Sequence, residues 1–411
     1  MGDVVQNEGD VAVMPGSVVD VLITAYNAER TIRATLASIL GQTFSGFRVI
    51  VVNDGSTDGT AAILDEHAGR DGRVQVVHQQ RSGIVNSANR GLALCDAEFV
   101  ARLDADDICF PTRLQKQLDH LAANPGCVAV SGACYHIDED GRRTGYVVAL
   151  DPPDLADPLT IPSREPYIMH SFLMARRDAL LRVGGYRFAD HAEDTDLYWR
   201  LQEVGRLDLL PDILGEYRLH TASVSSRSVI NGRISAVNSQ LSGLSAIRRR
   251  AGRPDIPFTR DDLPALEAGA SLASMYDYAS SKLDAAEAKY FRLALAAKML
   301  ELSAFRPYEL EVADCHFIRA AMRDGLRDLA PGGLARVRAE WVHGAARLFS
   351  KGLLAEFRAL AAEQIAVSAV VRAGRLRIEA LFPRKFIIKL KMWRRRRRRL
   401  GSVFGSVGAS P

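Results

Sequence analysis

Cysteine is scarce in this chain of 411 residues, and its five cysteines are scattered along the sequence. Their number is odd, and no two of them form a C-x-x-C pair. A small domain held together by disulfide bonds is therefore excluded. We interpret the cysteines as free thiols in a reducing compartment.

Long apolar segments are also missing. We find no run of 18 apolar residues, so the sequence predicts no transmembrane helix. The first residues, MGDVVQNEGDVAVMPGS, contain acids and lack a basic stretch followed by an apolar one, so they do not resemble a secretory signal. From these absences we expect a cytoplasmic protein.

Two phosphate-binding motifs are absent as well. No G-x-G-x-x-G follows a predicted strand, and the chain contains no G-x-x-x-x-G-K-[ST]. Dinucleotide-binding and P-loop functions therefore lose support. The remaining composition, 47% hydrophobic and 25% charged, is ordinary for a globular protein, and the length suggests two or three domains.

Short apolar segments alternate with helical patterns over the first 132 residues. The predicted strands are 18–23, 47–52, 73–78, 98–103 and 127–132. The predicted helices are about 29–40, a helix opening near residue 60, 86–94 and 111–123. This alternation predicts an α/β fold, a Rossmann-like and mainly parallel sheet with helices on both faces. Ligands of such sheets lie beyond the carboxyl ends of the strands.

The chain divides by composition into four predicted parts. Residues 1–17 have no clear period and are predicted to form a flexible leader. Residues 18–230 contain the strand signals and are predicted to form one α/β domain. In residues 231–381 Ala, Leu, Arg and Glu dominate in helical periods, which predicts a helical C-terminal region. Residues 382–411 form a basic amphipathic tail.

An acidic turn follows the fourth predicted strand in the sequence RLDADD. Asp104, Asp106 and Asp107 are three carboxylates within four residues, and they repel one another unless a cation joins them. A divalent cation that bridges carboxylates to substrate phosphates would do so. The alternative is a solvated acidic loop or an acidic cluster at a helix N-terminus. Its position at the end of a strand favours a functional site.

Polar residues also follow the first two strands. Thr24-Ala25-Tyr26-Asn27 comes after the first strand and Asn53-Asp54-Gly55-Ser56 after the second. An aspartate at the second position can accept hydrogen bonds from a nucleoside. An Asx-turn with a helix cap would explain the same residues, and the motif alone does not decide between the two.

Five segments in this order together resemble the family 2 glycosyltransferases, inverting enzymes of GT-A fold. They are VDVLITAYNAERTI, FRVIVVNDGSTDGT, QQRSGIVNSANRGL, AEFVARLDADDICFPTRL and AEDTDLYWRL, and they span about residues 18–204. The resemblance implies a GT-A type sheet, a nucleotide-diphosphate-sugar donor with UDP-sugar as the default, a divalent cation (Mg²⁺ or Mn²⁺), and transfer to an acceptor hydroxyl.

The resemblance also implies roles for particular residues on the donor side. Arg102 is expected to reach the diphosphate, and Arg81 to lie near the donor. Asp104 and Asp106 match the D-x-D pair, with Asp106 as the first choice of metal ligand and Asp104 facing the ribose or the metal. The nucleoside pocket is expected to be lined by Thr24, Tyr26, Asn27 and Asp54.

The pair Glu193-Asp194 matches the family's ED motif, in which the Asp is the general base. A base of this kind removes the proton of the acceptor hydroxyl as that oxygen attacks the anomeric carbon. An acid pair at a helix N-terminus is the alternative. The resemblance also places His170 where the acceptor is positioned and His220 where a further cation or diphosphate contact is supplied, although a single histidine is more often structural.

The charges oppose each other along the chain. From residue 371 to the end there are 13 basic residues and one acid, whereas the first 370 residues contain 40 basic and 48 acidic residues. The sequence PRKFIIKLKMWRRRRRRL interleaves apolar and basic residues, which is typical of an interfacial anchor on an anionic membrane. Binding to nucleic acid is a less favoured alternative, and a disordered basic end is another.

The sequence therefore predicts an inverting glycosyltransferase at the inner face of the plasma membrane. Its acceptor is expected to be a glycan, a lipid-linked saccharide or a cell-envelope saccharide. Two alternatives stay open: a sugar-nucleotide-binding module without catalysis, and, less favoured, a sugar-phosphate nucleotidyltransferase on a related sheet.

Overall fold

The computed structural model describes residues 17–148, 150–219 and 228–380. His220, the basic tail and all but the last residue of the predicted leader lie outside the described residues. The five cysteines all lie within them, buried and unbonded to one another. Burial raises the pKa of four of these thiols to about 12, namely Cys95, Cys127, Cys134 and Cys315.

A single sheet of nine strands forms the centre of the first half of the chain. The strands are β1 (Val19–Ala25), β2 (Phe47–Asp54), β3 (Val74–Gln79), β4 (Phe99–Arg102), β5 (Ile108–Cys109), β6 (Cys127–Ile137), β7 (Arg143–Val148), β8 (Met174–Arg176) and β9 (Arg206–Arg218). The helices between them are α1 (Ile32–Leu40), α2 (Thr60–Arg70), α3 (Ile84–Leu94), α4 (Arg113–Ala123), α5 (Arg177–Arg182) and α6 (Glu193–Leu201).

The sheet has a parallel half and a mixed half. In the spatial order β3-β2-β1-β4-β8-β6-β9-β5, the first four strands are parallel. β8 is antiparallel to both of its neighbours, β5 is antiparallel to β9, and β7 pairs antiparallel with β6. The predicted α/β class is confirmed, with the qualification that the half beyond β4 is mixed.

Both faces of the sheet are covered by helices, because side chains alternate between faces along each strand. In β1, Val21 and Ile23 pack into the core that contains α1, α2 and α4, whereas Leu22 packs on the other side against α3 and α6. The strands are therefore apolar on both faces, as expected of a buried parallel sheet. Their carboxyl ends meet at one edge, where the loops after β1, β2, β3 and β4 come together.

Every regular element described between residues 228 and 380 is helical. The α-helices are α7 (Val229–Arg250), α8 (Asp262–Glu267), α9 (Leu272–Ser280), α10 (Ala285–Ser303), α11 (Val312–Gly325), α12 (Pro331–Ser350), α13 (Leu354–Leu360) and α14 (Glu363–Ala380). They enclose their own core, which includes Phe291 and Trp341. The predicted helical C-terminal region is confirmed, while the domain boundary near residue 230 stays a prediction. No helix in this part or earlier in the described chain is long and apolar enough to cross a bilayer.

A buried ion pair connects β1 to β2. Arg48 donates from Nε to Asp20 Oδ1 (2.8 Å) and from Nη2 to Oδ2 (2.9 Å), and both side chains are almost fully enclosed. Arg48 Nη2 also contacts Asp96, and Asp20 Oδ2 accepts from the backbone N–H of Ala97. The pair thereby ties the two central strands to the turn that precedes β4.

We predict that Arg48→Met destabilises the protein by about 3–5 kcal/mol, because it leaves the carboxylate of Asp20 buried without its cation. Urea unfolding followed by circular dichroism measures the change. Arg33→Met is the matched control, since it removes an exposed pair with Glu66, and we expect it to alter the unfolding midpoint little. Equal effects of the two substitutions would contradict the prediction.

Candidate active site

The loops after β1 and β2 interlock at the carboxyl edge of the sheet. Asn27 adopts a left-handed backbone conformation with φ of 49°. Its backbone N–H donates to Ser56 Oγ (3.0 Å), and its Oδ1 accepts from the N–H of Thr57 (2.8 Å). These hydrogen bonds join the two loops, and the side chain of Tyr26 is exposed beside them.

Asp54, at the end of β2, fixes the loop that follows β3. Its carboxylate accepts from Gln79 Nε2 (2.7 Å), from the N–H of Ser82 (2.8 Å) and from the N–H of Gly83 (2.9 Å). Burial pushes the pKa of Asp54 upward, but these hydrogen bonds outweigh it and leave the pKa below its usual value. The carboxylate is therefore ionised, and it holds Arg81 in place through the neighbouring loop residues.

Arg81 and Tyr26 form the outer side of this pocket. The Arg81 guanidinium lies over the Tyr26 ring, 3.3 Å from its centroid, and both side chains are exposed. Thr24 is half-buried below them and accepts a long hydrogen bond from Arg102 (3.4 Å). A planar cation on an aromatic face offers a stacking platform of the kind that a nucleobase uses.

Arg102 supports the acidic turn from beneath. Its side chain is buried and donates to the backbone oxygen of Leu22 (2.8 Å) and to Asp104 Oδ1 (3.0 Å). The backbone N–H of Asp104 in turn donates to Ser171 Oγ (3.1 Å). Asp104 is thus oriented by two groups and stays partly open to solvent. Its role, and that of Arg102 in contacting a diphosphate, stay predictions.

Asp107, the third acid of the turn, is fully buried. Its Oδ1 accepts from the N–H of Arg218 (2.7 Å), and the Arg218 side chain donates to the backbone oxygen of Asp106 (2.9 Å). Burial, and then the charges of Asp106 and Asp104, raise the pKa of Asp107 well above its usual value, although the nearby Ser171 hydroxyl offsets part of the rise. The turn is thereby attached to Arg218, the last residue of β9. His220 follows two residues later in the sequence.

The acidic turn fits a divalent cation by its chemistry. Asp104 and Asp106 supply hard oxygen donors, and the buried Asp107 Oδ2 accepts no hydrogen bond of ordinary geometry from the described residues. Mg²⁺ needs only one or two carboxylates when substrate phosphates and water complete its shell. A full set of protein ligands around the cation is therefore not required, and the carboxylates of Asp104 and Asp106 fit the predicted divalent cation.

His120, Cys127 and Asp208 form another group of possible metal ligands, away from the acidic turn in sequence. Among the described residues, His120, Cys127 and Asp208 are the only three His, Cys, Asp or Glu side chains whose ligand atoms all lie within 4.8 Å of one another. However, Arg206 already pairs with Asp208 through two hydrogen bonds, of 2.8 and 3.0 Å. A dication there would stand beside a guanidinium, so we interpret the cluster as a structural network.

Glu193 and Asp194 begin helix α6 on the other side of the cleft. The N–H of Thr195 donates to Asp194 Oδ1 (2.7 Å). A helix N-terminus normally lowers a carboxyl pKa. Here burial dominates, and with the charges of Glu165 and Asp104 it raises the pKa of Asp194 to about 6. Burial together with Asp194 raises the pKa of Glu193 to about 8.

His170, Tyr186, Tyr198 and Tyr167 form one connected group of rings, here called the aromatic wall. His170 Nε2 and the Tyr186 hydroxyl are 2.9 Å apart, and the two rings meet edge to face. Tyr198 of α6 contacts both His170 and Tyr167. Burial, and secondarily Arg102, lower the pKa of His170 to about 4, so its imidazole is neutral at physiological pH.

Several polar atoms around the cleft are enclosed without a partner among the described residues. They are Arg102 Nε, Asp107 Oδ2, Glu193 Oε2 and the Tyr198 hydroxyl. Most buried polar groups in native proteins are hydrogen-bonded, so these atoms are available to a ligand. Similar atoms occur elsewhere in the described chain, for example His67 Nε2 and Ser245 Oγ, so they do not by themselves locate the site.

The predicted donor-side residues Thr24, Tyr26, Asn27, Asp54, Arg81, Arg102, Asp104 and Asp106 lie in or beside the loops that follow β1 to β4, and His170, Glu193 and Asp194 lie at the short turn before β8 and at the start of α6. Direct contacts join Arg102 to Asp104, and Asp104 to Ser171, the neighbour of His170. The roles of these residues stay predictions, and His220 lies outside the described residues. Sequence reasoning gave no role to Ser171 or Tyr186, and it named Asp107 only as the third carboxylate of the acidic turn. Ser171 and Tyr186 had no sequence signal.

Comparisons with known proteins identify the family of the chain. The family described as Glycosyl transferase family 2 matches residues 20–184. An uncharacterized glycosyltransferase of Haemophilus influenzae is 30% identical over 221 residues, which cover 51% of this chain and 67% of the relative. An amylovoran biosynthesis glycosyltransferase of Erwinia amylovora is 28% identical over 211 residues, covering 50% of this chain and 78% of the relative.

A solved structure is also similar. The mannosyltransferase PcManGT from Pyrobaculum calidifontis, in complex with GDP-Man and Mn²⁺, has a TM-score of 0.46 and 19% sequence identity, covering 87% of this chain and 86% of that one. The sequence relatives and the family match carry the conclusion. The resemblance predicted from the five motifs is confirmed: the chain belongs to glycosyltransferase family 2 and is a glycosyltransferase.

Proposed function

We propose that the protein catalyses metal-assisted, inverting transfer of a sugar from a nucleotide-diphosphate-sugar to an acceptor hydroxyl. One observation carries the proposal. The backbone N–H of Asp104 donates to Ser171 Oγ (3.1 Å), and the neighbouring His170 contacts Tyr198 of α6, the helix that Glu193 and Asp194 begin. In the proposed reaction the cation-bound diphosphate and the activated hydroxyl lie on either side of one sugar ring. The acidic turn and Asp194 must therefore lie near each other.

On the donor side, the nucleoside lies against the platform of Tyr26 and Arg81, beside Thr24 and Asn27. Asp54 contributes through the loop it fixes and through its remaining acceptor capacity. Asp106 and Asp104 hold the divalent cation, with His220 as a further ligand, and Arg102 keeps Asp104 oriented. When bound, the cation stabilises the negative charge that develops on the leaving diphosphate. UDP-sugar is the default donor.

On the acceptor side, Asp194 is the general base. It takes the proton of the acceptor hydroxyl while that oxygen bonds to the anomeric carbon, on the face opposite the breaking bond to the diphosphate. A pKa of about 6 leaves Asp194 ionised at neutral pH yet basic enough for this task. Glu193, with a pKa of about 8, stays protonated there and spares the cleft a further charge. The neutral His170 positions the acceptor.

We predict that Asp194→Asn lowers kcat by about 10²–10⁴-fold and leaves donor affinity nearly unchanged. In the wild-type enzyme, kcat/KM should fall as the pH drops through about 6, because only the ionised carboxylate accepts a proton. Steady-state transfer assays from pH 5 to 8 measure both effects. Asp178→Asn, an exposed acid on α5, is the control and should retain activity. A wild-type rate that is flat across this pH range would contradict the assignment.

We predict that Asp106→Asn weakens donor binding and that chelation by EDTA abolishes it. Thermal shift with a panel of nucleotide sugars and Mn²⁺ measures binding, since a ligand selective for the native state raises the Tm. The same panel separates the two rivals. Binding without turnover for any acceptor would indicate a module without catalysis, and pyrophosphate release from a nucleoside triphosphate plus a sugar phosphate would indicate a nucleotidyltransferase.

The acceptor is a glycan, a lipid-linked saccharide or a cell-envelope saccharide. The enzyme is cytoplasmic and associates peripherally with the membrane. Helix α14 leads to the basic tail and exposes Val367, Val370 and Val371 on one face. An exposed apolar face followed by a basic amphipathic segment suits an anionic lipid surface rather than nucleic acid. In this proposal residues 18–230 are the catalytic domain, and residues 231–381 connect it to the tail.

We predict that the full-length protein pellets with anionic liposomes and that a variant ending at Ala380 does not, because the truncation removes ten of the 13 basic residues after position 370. Neutral liposomes are the control and should retain neither protein. Equal pelleting of the two proteins on anionic liposomes would contradict the membrane proposal.

A further inference from the structure

The segment 157–172 carries acceptor-side residues into the cleft but has little regular structure of its own. It ends in a short 3-10 turn at His170–Phe172. Ser171 in this turn accepts the hydrogen bond from the acidic turn, and His170 belongs to the aromatic wall. Something outside the segment must therefore hold it.

The helical region supplies this support through polar contacts. Gln240 of α7 accepts a hydrogen bond from the N–H of Ser163 (3.0 Å). Tyr290 of α10 donates to the backbone oxygens of Pro158 (3.0 Å) and Thr160 (3.1 Å). The segment is thus attached near its start to two helices of the C-terminal region.

A further attachment is a buried ion pair between Glu165 and Lys298 of α10. Lys298 Nζ lies 2.9 Å from Glu165 Oε1 and 2.9 Å from Glu301 Oε1, and its side chain is only 7% exposed. Ser239 of α7 also donates to Glu165. Burial lowers the pKa of Lys298, but the two carboxylates outweigh it and keep the ammonium charged.

Glu165 also acts on the base. Its charge is the largest charge contribution to the raised pKa of Asp194, after burial and the opposing hydrogen bond from Thr195. Other titratable groups near Asp194 are Glu193, Tyr198, Asp104, Tyr186 and Tyr167. Arg102 acts on Tyr186 and Arg306 on Tyr167, whereas Lys298 is the cation paired with Glu165 and offsets the charge that Asp194 meets from that carboxylate.

We propose that Lys298 and Glu165 are positioning residues for the transfer reaction: their ion pair fixes the segment 157–172 against α10 and screens the general base from the charge of Glu165. The inference rests on the proposed function, in which Asp194 is that base. It assigns to the helical region a direct part in building the acceptor side of the site.

The test compares pH profiles of kcat/KM for Lys298→Met and Glu165→Gln. Lys298→Met exposes Asp194 to an unscreened charge, so its acid limb should move to higher pH, by about half a pH unit. Glu165→Gln removes that charge, so its acid limb should move to lower pH. Lys298→Met should also raise the KM for the acceptor more than the KM for the donor, since the loosened segment lies on the acceptor side.

Arg248→Met is the matched control. It breaks another enclosed ion pair between α7 and α10, with Glu287, which makes no contact with the segment. It should lower the Tm as Lys298→Met does and leave the pH profile unchanged. Acid limbs that stay in place in either test variant, with wild-type transfer intact, would overturn this inference alone. A wild-type protein without transfer activity would overturn it together with the proposed function.

Discussion

Like charge among neighbouring carboxyl groups is the constraint on which the rest of the site depends. Asp104, Asp106, Asp107, Glu193 and Asp194 lie close enough to influence one another's ionisation, and Arg102 donates to one of them, Asp104, at 3.0 Å. Such a group is tolerated only if some members keep their protons or a ligand brings positive charge. The raised pKa values of Asp107 and Glu193 correspond to the first solution, and the proposed cation corresponds to the second.

The two sides of the cleft reach their geometry by different means. On the donor side each loop follows directly from a buried parallel strand, so the positions of Tyr26, Asp54 and Asp104 are set by the register of β1, β2 and β4. Short local hydrogen bonds, such as those that Asp54 accepts from Ser82 and Gly83, complete the arrangement. The donor side is therefore nearly self-sufficient within the first half of the chain.

This difference explains which features the sequence could reveal. The strands near 18–23 and 47–52 were predictable because apolar runs encode burial on both faces, and the rule for carboxyl ends then located Asp54 and Asp104. Ser171 and Tyr186 were not predictable, because they reach the cleft from irregular segments without a period. The antiparallel entry of β8 between β4 and β6 was missed for a related reason: its three residues are too few to show one.

On the acceptor side the chain lacks such strands and takes its rigidity from elsewhere. Asn238 of α7 donates to the backbone oxygen of Asp190 (2.9 Å), just before α6 begins, and Lys298 of α10 holds Glu165. Helix α7 thus holds both elements that carry acceptor-side residues, the segment 157–172 and the start of α6, while α10 holds the segment. Because a base must be positioned within hydrogen-bond reach of its proton, a fold that leaves this side to loops needs a scaffold beyond the sheet. The helices after residue 228 fill that need, so the acceptor side depends on parts of the chain that the family match at residues 20–184 does not include.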